Sequence, residues 1–80
     1  MKKILVVDDN PDNLLSIKAL IADLFDGFMT LTAGSGPEGI QMAKDEQPDV
    51  ILLDILMPGM DGFEVCKILK QDITLRDIRS

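Results

Sequence analysis

The chain has 80 residues and a formal net charge of −6, with 14 acidic side chains against 8 basic ones. An acidic chain repels phosphate backbones, and with only 4 % aromatic residues it offers few side chains on which bases could stack. We therefore expect no nucleic-acid binding. The chain has one cysteine (Cys66) and no histidine, which excludes an internal disulfide and the usual zinc sites. The apolar runs are too short for a membrane span. We therefore expect a soluble, cytoplasmic single domain over 1–80.

The first predicted unit is a strand followed by a helix. A strand is predicted at 3–7, because the apolar run at 4–7 lacks alternation, which is typical of a strand covered on both faces. Asn10 is a good N-cap and Pro11 suits the first helical position, which predicts a helix over 11–25. Its apolar residues recur at three- and four-residue spacing and are expected to face a core: Leu14, Ile17, Leu20, Ile21, Leu24 and Phe25.

The second and third units repeat this order. A strand is predicted at 28–33 and a helix at 36–47, where Ser35 and Glu38 have the spacing of a capping box. A third strand at 49–54 leads to a helix at 62–71 and a polar tail at 72–80. The apolar residues of that helix are expected to pack inward: Phe63, Val65, Cys66, Ile68 and Leu69. Three strand–helix units predict an α/β fold with a parallel sheet and flanking helices.

Three carboxylates follow two of the predicted strands. Asp8 and Asp9 come directly after the first strand, and Asp54 ends the third. Parallel strands bring their carboxyl ends to one edge, so neighbouring strands would gather these side chains. Two like charges 4 Å apart repel by about 4 kcal/mol at an effective dielectric of about 20, which favours binding of Mg²⁺ or Mn²⁺. Taken singly, each aspartate also fits an ordinary turn or strand end.

These residues resemble a known family. The segments 4–10 and 50–64 are similar to the receiver domain of bacterial two-component systems, and the resemblance runs along essentially the whole chain. It implies a flavodoxin-like fold in which the three strands present here lie in the order 2-1-3, with the site at the first and third strands.

The resemblance also implies a role for each site residue. Asp54 would be the phosphoacceptor, and Asp8 and Asp9 would bind Mg²⁺ together with Asp54. The backbone carbonyl of Leu56 would complete the protein ligands. The resemblance also implies that the phosphoryl donor is a phosphohistidine on a sensor histidine kinase or a phosphotransfer protein. This chain has no histidine, so it cannot be its own donor.

The sequence departs from the family pattern after the third unit. Receivers usually have five βα units, and the switch Ser/Thr of the fourth strand and the catalytic Lys of the fifth have no counterpart here. We interpret four lysines as solvated surface residues: Lys2, Lys3, Lys67 and Lys70. The third strand would then be an open edge, through which we expect a homodimer to complete the truncated fold.

Other functions fit the residues less well. A structural half-domain that assembles through the third-strand edge, without signalling, is the main alternative. A haloacid-dehalogenase-like phosphatase would need an Asp-x-Asp pattern where the chain has adjacent Asp8 and Asp9. A flavodoxin would need a Ser/Thr-rich phosphate loop at the same place, where two carboxylates would repel the phosphate.

Overall fold

Strands and helices alternate along the chain in the computed structural model, which describes residues 2–54 and 59–79. The elements are β1 (Lys2–Val7), α1 (Pro11–Leu24), β2 (Phe28–Ala33), α2 (Gly36–Glu46), β3 (Val50–Leu53) and α3 (Gly62–Gln71). Their bounds lie within about one residue of those expected from the sequence patterns. Among the helices of the described ranges, none is both long enough and apolar enough to cross a bilayer.

The three strands form one parallel sheet in the order β2-β1-β3, with β1 in the centre. At the carboxyl end of β1, Val7 lies opposite Ala33 on one side and Leu53 on the other. The predicted α/β fold with strand order 2-1-3 is therefore confirmed, and the ends of β1 and β3 are neighbours.

Side-chain caps fix the start of the first two helices. Pro11 opens α1, and the Asn10 side-chain oxygen accepts hydrogen bonds from two backbone N–H groups of the first turn, at 2.9 and 3.4 Å. The Ser35 hydroxyl accepts from the Glu38 N–H at 3.3 Å at the start of α2. The Glu38 carboxylate reaches back to the Gly34 N–H rather than to Ser35 itself, so the predicted capping box is displaced by one residue.

The core lies on both faces of the sheet. One face packs against α2 and α3 and contains the buried residues Leu5, Val7, Ala33, Ala43, Ile51, Val65, Leu69 and Leu75. The other face packs against α1 and contains the buried residues Ile4, Val6 and Ile21. This two-sided covering explains why the apolar run of β1 lacks alternation.

The apolar stripe of α1 is buried over only part of its width. Leu20, Leu24 and Phe25 were expected in the core, but they are 56, 65 and 53 % exposed. The reason is that α1 packs against β1 and β2, so the flank of the helix that carries Leu20 and Leu24 is not covered by the sheet. Leu52 on β3 is likewise 43 % exposed.

Helix α3 also buries fewer residues than its sequence suggests. Phe63 was expected to pack inward and is 69 % exposed. The buried face of α3 is formed by Val65 and Leu69, which are four residues apart and lie one above the other. Phe63 is two residues before Val65 and therefore projects from another side of the helix.

The segment after α3, which reads as a polar tail, contributes to the core. Leu75 is 1 % exposed and belongs to the cluster between the sheet and α3. It is held in a turn in which its N–H donates to the carbonyl of Asp72 at 3.0 Å.

The Asp72 carboxylate is held within the same turn. The side chain and backbone of Thr74 both donate hydrogen bonds to it, which lowers the pKa of Asp72.

The end of this segment pairs with the outer edge of β3. Arg79 forms a parallel bridge with Val50, and its carbonyl accepts a hydrogen bond from the Ile51 N–H at 2.7 Å. This part of the β3 edge is therefore paired within the chain. Association of two copies through the edge stays a prediction.

Gly39 allows α2 to lie close to β1. A Cβ atom on Gly39 would lie 2.7 Å from Cγ2 of the buried Val7. We expect Gly39→Ala to lower the free energy of unfolding by about 1–2 kcal/mol in urea titrations, because the clash exceeds the gain in helix propensity. Gly34→Ala, whose Cβ would meet only a Glu38 oxygen at 3.8 Å, is the control. Equal stability of the two variants would contradict this account of the packing.

Leu75 is expected to be essential for stability despite its polar surroundings in the sequence. Leu75→Ala should lower the free energy of unfolding by about 2–5 kcal/mol, because it leaves a cavity in the core. Ile73→Ala is the matched control, since Ile73 is 75 % exposed and should change stability by no more than about 0.5 kcal/mol. A Leu75→Ala loss no larger than that of Ile73→Ala in thermal or urea unfolding would show that the segment does not pack as described.

Candidate metal centre

Two aspartates continue the hydrogen-bond ladders of the sheet beyond the strand ends. The Asp8 N–H donates to the Ala33 carbonyl at 3.1 Å, and the Asp54 N–H donates to the Val7 carbonyl at 2.9 Å. Both backbones are therefore fixed by the sheet rather than by a free loop. Since Val7 and Leu53 are opposite each other, Asp8 and Asp54 leave their strands side by side.

The carboxylates of Asp8, Asp9 and Asp54 form one cluster. One oxygen from each of the three lies within 4.8 Å of the other two. Their environments differ: Asp8 is 7 % exposed, Asp54 is partly buried and Asp9 is exposed. The structure thus brings together the three aspartates that the strand-end pattern singled out.

The start of α1 holds the buried carboxylate. The Asn10 backbone N–H donates to Oδ1 of Asp8 at 2.9 Å, and the Asn13 side-chain amide donates to Oδ2 at 3.2 Å. Sequence reasoning assigned no role to Asn13. The available signal was the helix start at Pro11, which places Asn13 in the first helical turn, close to the strand end that carries Asp8.

A cleft of about 150 Å³ opens beside two of the carboxylates. Its lining is apolar apart from the acidic groups and consists of Val6, Val7, Asp8, Ile17, Leu52, Leu53 and Asp54. Charges beside an apolar wall are screened less than charges surrounded by water. The repulsion between Asp8 and Asp54 is therefore screened less than it would be on an open surface.

The donor set is that of a hard divalent cation. Carboxylate oxygens are preferred ligands of Mg²⁺ and Mn²⁺. Two oxygens bound to one Mg²⁺ at about 2.1 Å are at most about 4.2 Å apart, so oxygens within 4.8 Å need only small side-chain adjustments to share an ion. The three aspartates therefore fit such an ion. Leu56, the fourth expected ligand, lies outside the described residues.

Two of the lysines interpreted as surface residues have partners away from the cluster. The Lys3 ammonium lies 3.2 Å from a Glu46 carboxylate oxygen, at the end of β1 opposite the aspartates. The Lys70 ammonium donates to the Arg76 carbonyl at 3.3 Å. Their contacts agree with a role outside the acidic site.

Comparison with known proteins gives the same family by sequence and by structure. The family model described as response regulator receiver domain matches residues 4–78. "Response regulator PleD" of Caulobacter vibrioides (strain NA1000 / CB15N) is 48 % identical over 76 residues, which are 95 % of this chain and 16 % of that protein. "Protein PilH" of Pseudomonas aeruginosa is 39 % identical over 72 residues, which are 90 % of this chain and 58 % of that protein.

A solved structure extends the match to three dimensions. The N-terminal domain of a response regulator receiver protein from Methanoculleus marisnigri JR1 superposes with a TM-score of 0.90 at 37 % identity, covering 98 % of this chain and 62 % of that one. The chain thus spans less than two thirds of the length of each of these proteins. From the family model, the relatives and the shared fold, we conclude that the chain belongs to the response regulator receiver domain family.

Proposed function

We propose that this receiver domain accepts a phosphoryl group on Asp54 in a two-component phosphorelay, with Mg²⁺ or Mn²⁺ bound by Asp8, Asp9 and Asp54. The observation that carries the proposal is the convergence of the three carboxylates within 4.8 Å at the ends of β1 and β3. The backbone carbonyl of Leu56 belongs to the proposed ligand set as well.

The differences in burial favour a division of roles within the cluster. Asp8 is 7 % exposed and both of its oxygens accept hydrogen bonds from the protein, which suits a fixed ligand rather than a group that reacts. Asp54 lines the apolar cleft at the end of β3 and its backbone is anchored to the sheet, so its side chain borders a space that a phosphoryl donor can enter. We therefore assign the nucleophile to Asp54.

The proposed reaction forms one bond and breaks one. A carboxylate oxygen of Asp54 attacks the phosphorus of a phosphohistidine, the P–N bond breaks, and the leaving imidazole nitrogen takes the electron pair and then a proton. The product is an acyl phosphate on Asp54 and an unmodified histidine on the donor. The bound cation supplies charge neutralisation for the approach of a carboxylate to an anionic phosphoryl group.

The proposed donor is a sensor histidine kinase or a phosphotransfer protein, and we place the reaction in the cytoplasm. None of the 80 residues is a histidine, so the donor residue lies outside this sequence. Small-molecule acyl phosphates have the same type of transferable group and provide a test that does not require the natural partner.

The alternative function, a structural half-domain that assembles through the edge of β3, has less support. The Ile51 N–H on that edge already donates to the Arg79 carbonyl at 2.7 Å. The hydrogen bond leaves this part of the edge less available to a second copy. Phosphoryl uptake separates the two functions, because a purely structural domain has no need of a reactive Asp54.

Phosphorylation is expected to depend on Asp54 and on the cation. Incubation with acetyl phosphate and millimolar Mg²⁺ should add one phosphoryl group, as measured by intact-protein mass spectrometry. Asp54→Asn should abolish the adduct, because an amide oxygen is a poor nucleophile, and chelation of the cation should abolish it in the unchanged chain.

Asp23→Asn is the matched control for this experiment, since it removes an equivalent charge from an exposed position on α1 outside the cluster. It should be phosphorylated like the unchanged chain. Absence of any adduct at millimolar Mg²⁺ would refute the proposal and favour the structural alternative, and an adduct that persists in Asp54→Asn would show that another residue is the phosphoacceptor.

Mg²⁺ binding is expected to depend on the exposed member of the cluster. Asp9→Asn should weaken Mg²⁺ binding at least about tenfold in calorimetric titrations, because it removes one negative charge from the ligand set. Asp12→Asn removes an equal charge in the first turn of α1 and should change affinity by about twofold or less. If both variants bind Mg²⁺ alike, Asp9 is not a ligand.

A further inference from the structure

We infer that Asn13 is a positioning residue that orients the Asp8 carboxylate for the cation and thereby sets the Mg²⁺ affinity of the domain. The inference rests on the metal site of the proposed function and assigns a role to a residue outside its ligand set. The observation is a hydrogen bond of 3.2 Å from the Asn13 side-chain nitrogen to Oδ2 of Asp8.

Both oxygens of Asp8 are held by the start of α1. Oδ1 accepts from the Asn10 backbone N–H at 2.9 Å, and Oδ2 accepts from the Asn13 amide. Two donors on two different oxygens restrict rotation of the carboxylate about its last torsion. An ionised carboxylate has about four acceptor positions, so two remain for a cation. The carboxylate is therefore fixed without being saturated.

Asn13 is itself held in place by the helix start. Pro11 occupies the first helical position, and the Asn10 side-chain oxygen accepts from the Asn13 backbone N–H at 3.4 Å. The Asn13 amide is presented from a regular turn rather than from a loop. Partners of this kind behind a metal ligand typically change metal affinity by about 10–100-fold when they are removed.

A purely structural role for this hydrogen bond makes a different prediction. If it only joined the end of β1 to α1, its loss would change the stability of the ion-free protein and leave ion binding unchanged. Asn13 is an exposed residue, so water can replace its amide at Asp8 and the effect on stability should be small. Ion affinity and stability therefore separate the two roles.

The first test compares Mg²⁺ binding by calorimetry in the unchanged chain, in Asn13→Ala and in Gln41→Ala. The Gln41 variant is the matched control, because it also removes an amide that donates to a carboxylate, that of Asp45 at 3.1 Å, on the distant helix α2. Asn13→Ala should bind Mg²⁺ about 10–100-fold more weakly, and Gln41→Ala should bind it with unchanged affinity. Thermal unfolding without the ion should be similar in all three proteins.

The second test needs no variant of Asn13. The chain has only two asparagines and three glutamines, so its side-chain amide signals are few and can be assigned by NMR. Saturation with Mg²⁺ should shift the Asn13 side-chain amide signals, because their acceptor becomes a metal ligand. The Gln41 signals should stay in place.

Two results would overturn the inference in distinguishable ways. If the unchanged chain binds Mg²⁺ but Asn13→Ala binds it equally well, or the Asn13 amide signals do not respond to the ion, the positioning role is wrong and the metal site stands. If the unchanged chain binds no Mg²⁺ by either method, the metal site of the proposed function fails, and the inference fails with it.

Discussion

The repulsion among three carboxylates at one end of the sheet is the constraint on which the site depends. Asp8 and Asp54 cannot move apart freely, because their backbone N–H groups donate to carbonyls of the neighbouring strands. Like charges held this close repel by several kcal/mol per pair at the effective dielectric of a protein surface. The sheet therefore maintains an arrangement that its own electrostatics oppose, and a bound cation would relieve it.

The order and type of the elements follow from local signals in the sequence. Asn10 followed by Pro11 specifies a helix start, and the uninterrupted apolar run of β1 specifies a strand buried on both faces. These signals act within a few residues, so they can be recognised without knowledge of the tertiary structure. The parallel arrangement then follows because a helix connects each strand to the next and returns the chain to the same end of the sheet.

The extent of burial was harder to predict because it depends on which neighbour covers each residue. Leu20 and Leu24 fit the apolar period of α1, but the helix packs against β1 and β2 and leaves that flank exposed. Leu75 shows the opposite error, since the isolated apolar residues of its segment form no apolar run, yet Leu75 is buried while Ile73 is exposed. Periodicity identifies a helix and does not identify its neighbours.

The sequence likewise predicted only some of the residues of the candidate site. Asp8, Asp9 and Asp54 could be predicted because strand ends meet at one edge of a parallel sheet. Asn13 was missed, because the helix start only places it near Asp8, and its contact depends on a side-chain rotamer and on the angle at which α1 leaves the sheet. Residues that act through another side chain leave no pattern of their own in a single sequence.

The central position of β1 has a consequence for the dynamics of the domain. β1 is hydrogen-bonded to a strand on each side and its residues Ile4 to Val7 are buried, so its amide hydrogens should exchange with solvent only when the whole domain opens. Asp8 directly follows this slowly exchanging segment. The acidic residues thus emerge from the most protected part of the chain, and any motion that accompanies their chemistry has to occur in the elements around β1 rather than in the strand itself.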